Sequence, residues 1–334
     1  MRTVTDVNLI DREQWAALAK SSTMRSIFQT REWYDFCVEH LLYEPFVCAV
    51  IDDADMLKGV VVGHIQKNGG TIKSFFTRRA IINGGPLLSS DISDIEVGEL
   101  LKKLVKCIGR RAIYIESRNF SDFSRYKTTF QDNGFKYVPH LNFHIDTTSI
   151  DVVQKNLHRN KKRQIKSSYA EGIAIDDNPT IDDLKIFYSI LENMYRKKVK
   201  TPCPEYSFFV DLYNQDFSKF LFVKKEAKII GGLVILVLEK DIVYQLYICG
   251  EDGVYSNIYP SVVATYAGIQ YAVEHECHKC DLMGAGKPNV HYGVRDFKAG
   301  FGGELVEHGR FCFITNPLLY RIGKIGVKFL KRFL

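Results

Sequence analysis

Phe220-Leu-Phe-Val-Lys-Lys225, a charged turn through Lys228, and Ile229-Ile-Gly-Gly-Leu-Val-Ile-Leu-Val-Leu238 read as the two strands of one hairpin. Both runs are rich in β-branched and aromatic residues, and the link between them is short and polar. The second run is too short to span a bilayer as a helix and reads as a buried strand. The pattern also stands earlier in the chain, as Phe46-Val-Cys-Ala-Val-Ile51, an acidic turn Asp52-Asp-Ala-Asp55, and Leu57-Lys-Gly-Val-Val-Val62. Each hairpin leads to a glycine-bearing bend, Asn83-Gly-Gly-Pro86 in one half and Cys249-Gly-Glu-Asp-Gly253 in the other. A helix follows each bend, then a short strand, Ala112-Ile-Tyr-Ile-Glu116 or Cys280-Asp-Leu-Met-Gly284. Both halves close on an aromatic-glycine segment, Phe130-Gln-Asp-Asn-Gly-Phe-Lys-Tyr137 and Phe297-Lys-Ala-Gly-Phe-Gly-Gly-Glu304. A repeat of this length predicts two similar domains of α/β class with mixed sheets, produced by duplication.

The composition agrees. A chain of 334 residues suits two domains, each able to bury a core. Hydrophobic content of 46% and charged content of 25% are those of a globular protein. Met1-Arg-Thr-Val-Thr-Asp-Val-Asn8 contains no apolar run, so a secretory signal is not expected there. The cysteines at 37, 48, 107, 203, 249, 277, 280 and 312 are scattered, which suits reduced, cytoplasmic usage rather than a disulfide framework. Most of the net charge of +6 is carried by Arg321, Lys324, Lys328, Lys331 and Arg332 near the C-terminus.

The first domain is expected over 1–147, from a helix around Asp11–Lys20 and the segment Phe28-Gln-Thr-Arg-Glu-Trp33 to a closing strand Asn142-Phe-His-Ile-Asp146. The second is expected over 148–315, with Thr148 or Ser149 capping its first helix. A basic amphipathic helix is expected over 316–334, its apolar side either packed on a domain or laid on an anionic membrane surface.

Several segments carry chemistry. Arg159, Lys162, Arg163 and Lys166 recur at three- and four-residue spacing and share a helix face. Such a face is either solvated or a contact for phosphates, and Arg196-Lys-Lys-Val-Lys200 adds a second basic run. Glycines at 300, 302 and 303 allow tight turns around Phe297 and Lys298, a bulky wall and a cation. That lysine is placed to support an oxyanion, to hold a phosphate, or simply to face solvent. Cys277 and Cys280 have the spacing of a zinc pair, but no second pair follows, and no metal is expected. There is no G-x-S-x-G elbow, and Cys203 lies between two prolines.

Taken together, Phe28–Trp33, Gly84-Gly-Pro86, the helix through Arg163-Gln-Ile-Lys-Ser-Ser-Tyr-Ala-Glu-Gly-Ile173 and Phe297–Gly303 resemble the FemAB family of peptidoglycan-bridge aminoacyltransferases. The resemblance implies two tandem GNAT-like domains, with the C-terminal helix returning to the first. It implies transfer of an aminoacyl group from aminoacyl-tRNA to an amine of a peptidoglycan or lipid-linked precursor, without a tightly bound cofactor. In that frame Lys298 binds the tRNA acceptor end and supports the oxyanion, and Phe297 shapes the pocket. Asp296 or His291 is available to take a proton. Tyr247 and Tyr206 fall near precursor-binding positions, and Trp33 of the first motif joins them as a substrate-binding expectation. Arg159, Lys162, Arg163 and Lys166 are the expected phosphate contacts. The implied location is cytoplasmic, with peripheral contact at the inner membrane face.

The chain departs from the family in places. Tyr34-Asp-Phe-Cys37 follows Trp33 where family members have a lysine, and Thr201-Pro-Cys-Pro204 stands where they have an arginine. Two alternatives stay open at this level. One is an acyl-CoA-dependent N-acyltransferase acting on a sugar or polysaccharide precursor, although Tyr255-Ser-Asn-Ile-Tyr-Pro260 has no glycine where a pyrophosphate loop would need it. The other is a non-catalytic module that binds tRNA or precursor.

Overall fold

The computed structural model describes residues 1–41, 43–66, 77–200 and 202–330, with side chains as far as Lys324. Along the first half run β1 (Arg2–Val4), α1 (Arg12–Ser21), α2 (Arg31–Glu39), β2 (Tyr43–Ile51), β3 (Leu57–Gln66), β4 (Arg79–Gly84), β5 (Leu87–Leu88), α3 (Asp94–Ile108), β6 (Tyr114–Asn119), α4 (Lys127–Asp132) and β7 (Lys136–Val138). Next come β8 (Leu141–Asp146), α5 (Ile150–Asn156), α6 (Arg159–Ala170), β9 (Ile173–Asp176), α7 (Ile181–Met194), a π-turn over Tyr195–Val199 and α8 (Tyr206–Tyr213). The chain continues through β10 (Ser218–Lys225), β11 (Lys228–Leu238), β12 (Ile242–Gly250), α9 (Pro260–Glu274), β13 (Lys279–Gly284), α10 (Gly293–Ala299), β14 (Glu304–Glu307), β15 (Arg310–Ile314) and α11 (Pro317–Leu330).

The local signals account for these elements. Asp11 and Thr30 cap α1 and α2, and Ser93 with Glu96 forms a capping box at the start of α3. Ser149 caps α5, one of the two residues expected to do so. Both repeated hairpins form, β2 with β3 and β10 with β11. The bends after them need glycine where φ is positive, at Gly84 (86°) and Gly253 (84°).

Two compact units result, Met1–His140 together with the segment from His308 onward, and Leu141–Glu307. The first has a mixed sheet in the order β1-β2-β3-β4-β6-β15-β7, with β5 beside β3. The second has the order β14-β8-β13-β12-β11-β10-β9. Each unit has its own apolar core, one around Val61, Ile65, Leu100, Leu104 and Phe130, the other around Ile145, Leu233, Ile235, Val263 and Phe301.

This topology corrects the expected boundaries of 147/148 and 315/316. The strand Leu141–Asp146, expected to close the first domain, pairs with β13 and β14 in the second sheet. The strand Arg310–Ile314, expected to close the second, pairs with β6 and β7 in the first. The boundaries therefore fall at 140/141 and 307/308. Apolar alternation marks these segments as strands but says nothing about which sheet accepts them. The final helix begins at Pro317, and Tyr320 packs edge-on against Tyr114 of β6. The part of that expectation resting on residues 331–334 lies outside the described residues. No helix among those described is long and apolar enough to cross a membrane.

Candidate active site

The two sheets differ at their parallel pair. In the first unit β4 and β6 stay in register from Arg79–Tyr114 to Gly84–Asn119. In the second, β12 and β13 pair only through Ile242, Val243 and Tyr244, opposite Lys279, Cys280 and Asp281. Against its other neighbour β12 carries a bulge: Tyr247 faces Val234 and Gln245 faces Ile235, leaving Leu246 over. A bulge bends its strand, and although β12 stays paired with β11 as far as Gly250, its pairing with β13 stops, among the described residues, at Tyr244, so the second sheet opens beyond that residue. An opened strand edge suits an extended ligand.

The end of β13 is built with strain. Met283 takes a left-handed conformation at φ 62°, unfavourable for any residue but glycine. Its N–H donates to the buried Asp281 carboxylate at 2.6 Å. From the other side Lys298 of α10 donates to the carbonyls of Gly284 at 2.8 Å and Met283 at 3.4 Å. Lys298 is 8% exposed, and burial lowers its pKa to about 8 against the opposing pull of Asp281. Asn142 and His144 of β8 reach the same carboxylate at 3.4 and 3.3 Å. An ammonium has three N–H donors, so Lys298 keeps one beyond these two carbonyls.

A second lysine converges on the closing motif. Lys161 of α6 is 8% exposed, and its Nζ lies 4.0 Å from the ring centroid of Phe297 and 5.0 Å from that of Phe301. Burial lowers its pKa to about 8, with Asp252 pulling the other way. Sequence reading missed Lys161 while choosing its neighbours. The available signal was its place on the line Leu157, Lys161, Ile165, where the other two are buried apolar residues.

The expected residues divide by location. Lys298 and Phe297 lie together in the second unit, with Phe297 partly buried against the core. Asp296 turns outward, 67% exposed, and pairs with His291 at 3.3 Å. Tyr247 stands on β12 past the bulge, its ring beside Phe208 and Phe209. Tyr206 begins α8, stacks edge-on with Tyr188 and donates to the Ile181 carbonyl at 3.4 Å. Arg159, Lys162, Arg163 and Lys166 are exposed along α6. Trp33 belongs to the first unit, is 3% exposed and packs on Phe28 and Phe36, so its observed surroundings are core.

The α9 N-terminus, where a glycine loop would cradle pyrophosphate, is filled from within. Asp252 accepts from the backbone N–H of Ser261 at 3.1 Å and from its hydroxyl. Asp252 also lines a cavity of about 400 Å³ whose other walls include Glu192, Asn193, Arg196 and Lys198. Arg196 and Lys198 come from the second basic run, which forms the π-turn.

Sequence reading also missed a charged group on the first unit's sheet. Arg118 and Arg310 both donate to Glu116, at 2.6 and 2.8 Å, and Arg79 donates to Gln66 nearby. Among the described residues no group of three or more His, Cys, Asp or Glu could hold a metal ion.

Residues 213–326 match the FemAB family. That stretch contains the opened strand pair, Lys298 and the closing motif, and the FemAB resemblance drawn from the sequence holds there. A crystal structure of FemX is similar over 96% of this chain and 99% of its own, at 15% identity and a TM-score of 0.73. The structure of L-PGS from Bacillus licheniformis is similar over 94% and 96%, at 11% identity and 0.59. A tandem GNAT protein from the clavulanic acid biosynthesis pathway is similar over 95% and 99%, at 10% identity and 0.59. These likenesses establish a fold of two tandem GNAT-like units. No curated protein matches the chain in sequence.

Proposed function

We propose that this protein is a FemAB-type acyltransferase of cell-envelope biosynthesis, moving an aminoacyl group from tRNA to an amine of a peptidoglycan or other envelope precursor. The observation that supports this most is the opening between β12 and β13 with Lys298 at its edge. An aminoacyl ester already has a good leaving group, so the site needs to align an amine, accept one proton and stabilise an oxyanion. The amine nitrogen attacks the ester carbon, and the carbonyl oxygen becomes an oxyanion facing the remaining N–H of Lys298. The tetrahedral centre then collapses with breakage of the carbon–oxygen bond. The released tRNA hydroxyl takes a proton, and the new amide nitrogen loses one.

The donor in this reading is aminoacyl-tRNA rather than acyl-CoA. Asp252 occupies the helix N-terminus that a CoA diphosphate would use, and its charge repels that group. The exposed cations of α6 suit a longer polyanion. The reaction is assigned to the cytoplasmic side, with peripheral contact at the membrane if the acceptor is lipid-linked.

The test supplies purified protein with a peptidoglycan precursor and either aminoacyl-tRNA or acetyl-CoA. Amide formation from the tRNA donor alone supports the proposal. Turnover of acetyl-CoA alone replaces it with the CoA-dependent reading. Tight binding of tRNA or precursor with no turnover of either donor replaces it with a binding module.

A further inference from the structure

We infer that Lys161 is an anion-contacting residue of the donor site, its ammonium receiving a phosphate oxygen of the donor beside Phe297. This rests on the acyl-transfer reading above and names a contact that reading lacks.

The starting point is an imbalance. Buried charges are normally paired or hydrogen-bonded. Lys298 meets that condition through two carbonyls. Lys161 does not: among the described residues it makes no hydrogen bond and no ion pair, and the contacts of its ammonium are the faces of Phe297 and Phe301. Ring faces attract a cation but supply no acceptor for its three N–H donors. Asp252 exerts a field on it without pairing.

The closing motif is shaped around this side chain. A Cβ at Gly300 would stand 2.8 Å from Cε and 3.0 Å from Cγ of Lys161. Glycine at 300 therefore leaves the channel through which the lysine stem runs. With Phe297 and Phe301 as its walls, three residues of one motif hold one residue of another. A lysine needed only for solubility would not be enclosed in this way.

The ligand class follows from the charges around it. Arg159, Lys162, Arg163 and Lys166 project from the same helix into solvent and supply long-range attraction for a polyanion. Lys161 supplies the short-range contact. The nearby helix N-terminus cannot do so, because Asp252 already accepts from Ser261. Both kinds of donor carry phosphate esters, at the tRNA 3′ end on the same nucleoside as the acyl ester, and in CoA at the far end of the pantetheine arm from the thioester.

The test is calorimetric titration of the full chain and of Lys161→Met with a CCA-ended RNA oligonucleotide, with CoA and with inorganic pyrophosphate. Methionine keeps the packing on the two rings while removing the charge. The expected result is RNA binding by the unmodified protein, weakened about tenfold or more in Lys161→Met. The salt dependence of binding should fall by about one phosphate contact, roughly 0.7 in the log–log slope. The same loss with CoA and not RNA would support the contact and reassign the carrier, and loss with pyrophosphate alone would locate it on a diphosphate. Equal affinity and equal slope in both proteins would overturn the inference, and so would failure of the unmodified protein to bind any of the three. Lys161→Gln replaces the methionine variant if thermal unfolding shows the latter misfolded. Failure of the acyl-transfer reading looks different: binding is lost with Lys161 as expected, but no donor is turned over.

Discussion

Asp252 and Ser261 are joined twice, the carboxylate accepting from the serine's backbone N–H at 3.1 Å and from its hydroxyl. The negative charge therefore sits at the positive end of α9, where it stabilises the helix and displaces any bound phosphate. Asp252→Ala should lower stability by about 1 kcal/mol in urea unfolding, the usual cost of a lost helix cap. It should also tighten CoA or pyrophosphate binding, since the freed N–H groups become available. Unchanged binding would show that the carboxylate is not what blocks that site.

Lys298 should set the alkaline limit of the reaction. Burial brings its pKa down to about 8, so its cation is complete below that value and lost as pH rises through it. The rate of acyl transfer should fall across the same range, far below the ordinary lysine range of about 10.4. Lys298→Ala should abolish turnover with the fold intact by circular dichroism. Lys298→Arg should retain some activity and lose the fall near pH 8, because a guanidinium stays charged.

Gly300 and Gly302 should respond unequally to alanine. At 302 the backbone has φ 79°, and a Cβ would lie 2.0 Å from the Asn156 carbonyl oxygen, which cannot move without shifting the end of α5. At 300 the obstacle is the flexible Lys161 side chain. Gly302→Ala should cost roughly 3 kcal/mol or more, and Gly300→Ala about 1 kcal/mol. Thermal unfolding checks the order, and donor affinity should fall in Gly300→Ala because the lysine is displaced.

Glu116 holds two arginines together in the first unit. Burial alone would raise its pKa, but Arg118 and Arg310 outweigh that and leave it lowered. Its contribution to stability is therefore complete above the ordinary glutamate range, about 4.3, and is lost as pH falls through the lower folded value. Glu116→Gln should cost roughly 3 kcal/mol at pH 7, since it leaves the guanidinium groups facing one another. The difference from the unmodified protein should shrink in acid, as measured by urea unfolding at pH 7 and pH 3.

The hairpins were legible because Phe220–Leu238 and Phe46–Val62 carry their own period and turn chemistry. Lys298 was legible because the glycines around it announce a tight backbone. Lys161 was harder to see. A count of cations on α6 selects the exposed ones, and only its alignment with Leu157 and Ile165 marks it as inward. Arg118 and Glu116 alternate with buried neighbours on β6, but their link to Arg310 joins residues far apart in sequence. The opening of the second sheet depends on the bulge at Leu246, which no residue type in Gln245-Leu-Tyr247 specifies. Trp33 shows the reverse case, where a motif position read as substrate-binding is occupied by core packing.

The place of β15 between β6 and β7 has a consequence for biosynthesis. Most multidomain chains fold from the N-terminus as they leave the ribosome. Here the N-terminal sheet has a missing slat until residues 310–314 emerge, after the whole of the second unit. The second unit must therefore be synthesised before the first can close, and a chain cut short upstream of residue 310 would carry an unpaired strand edge inviting aggregation.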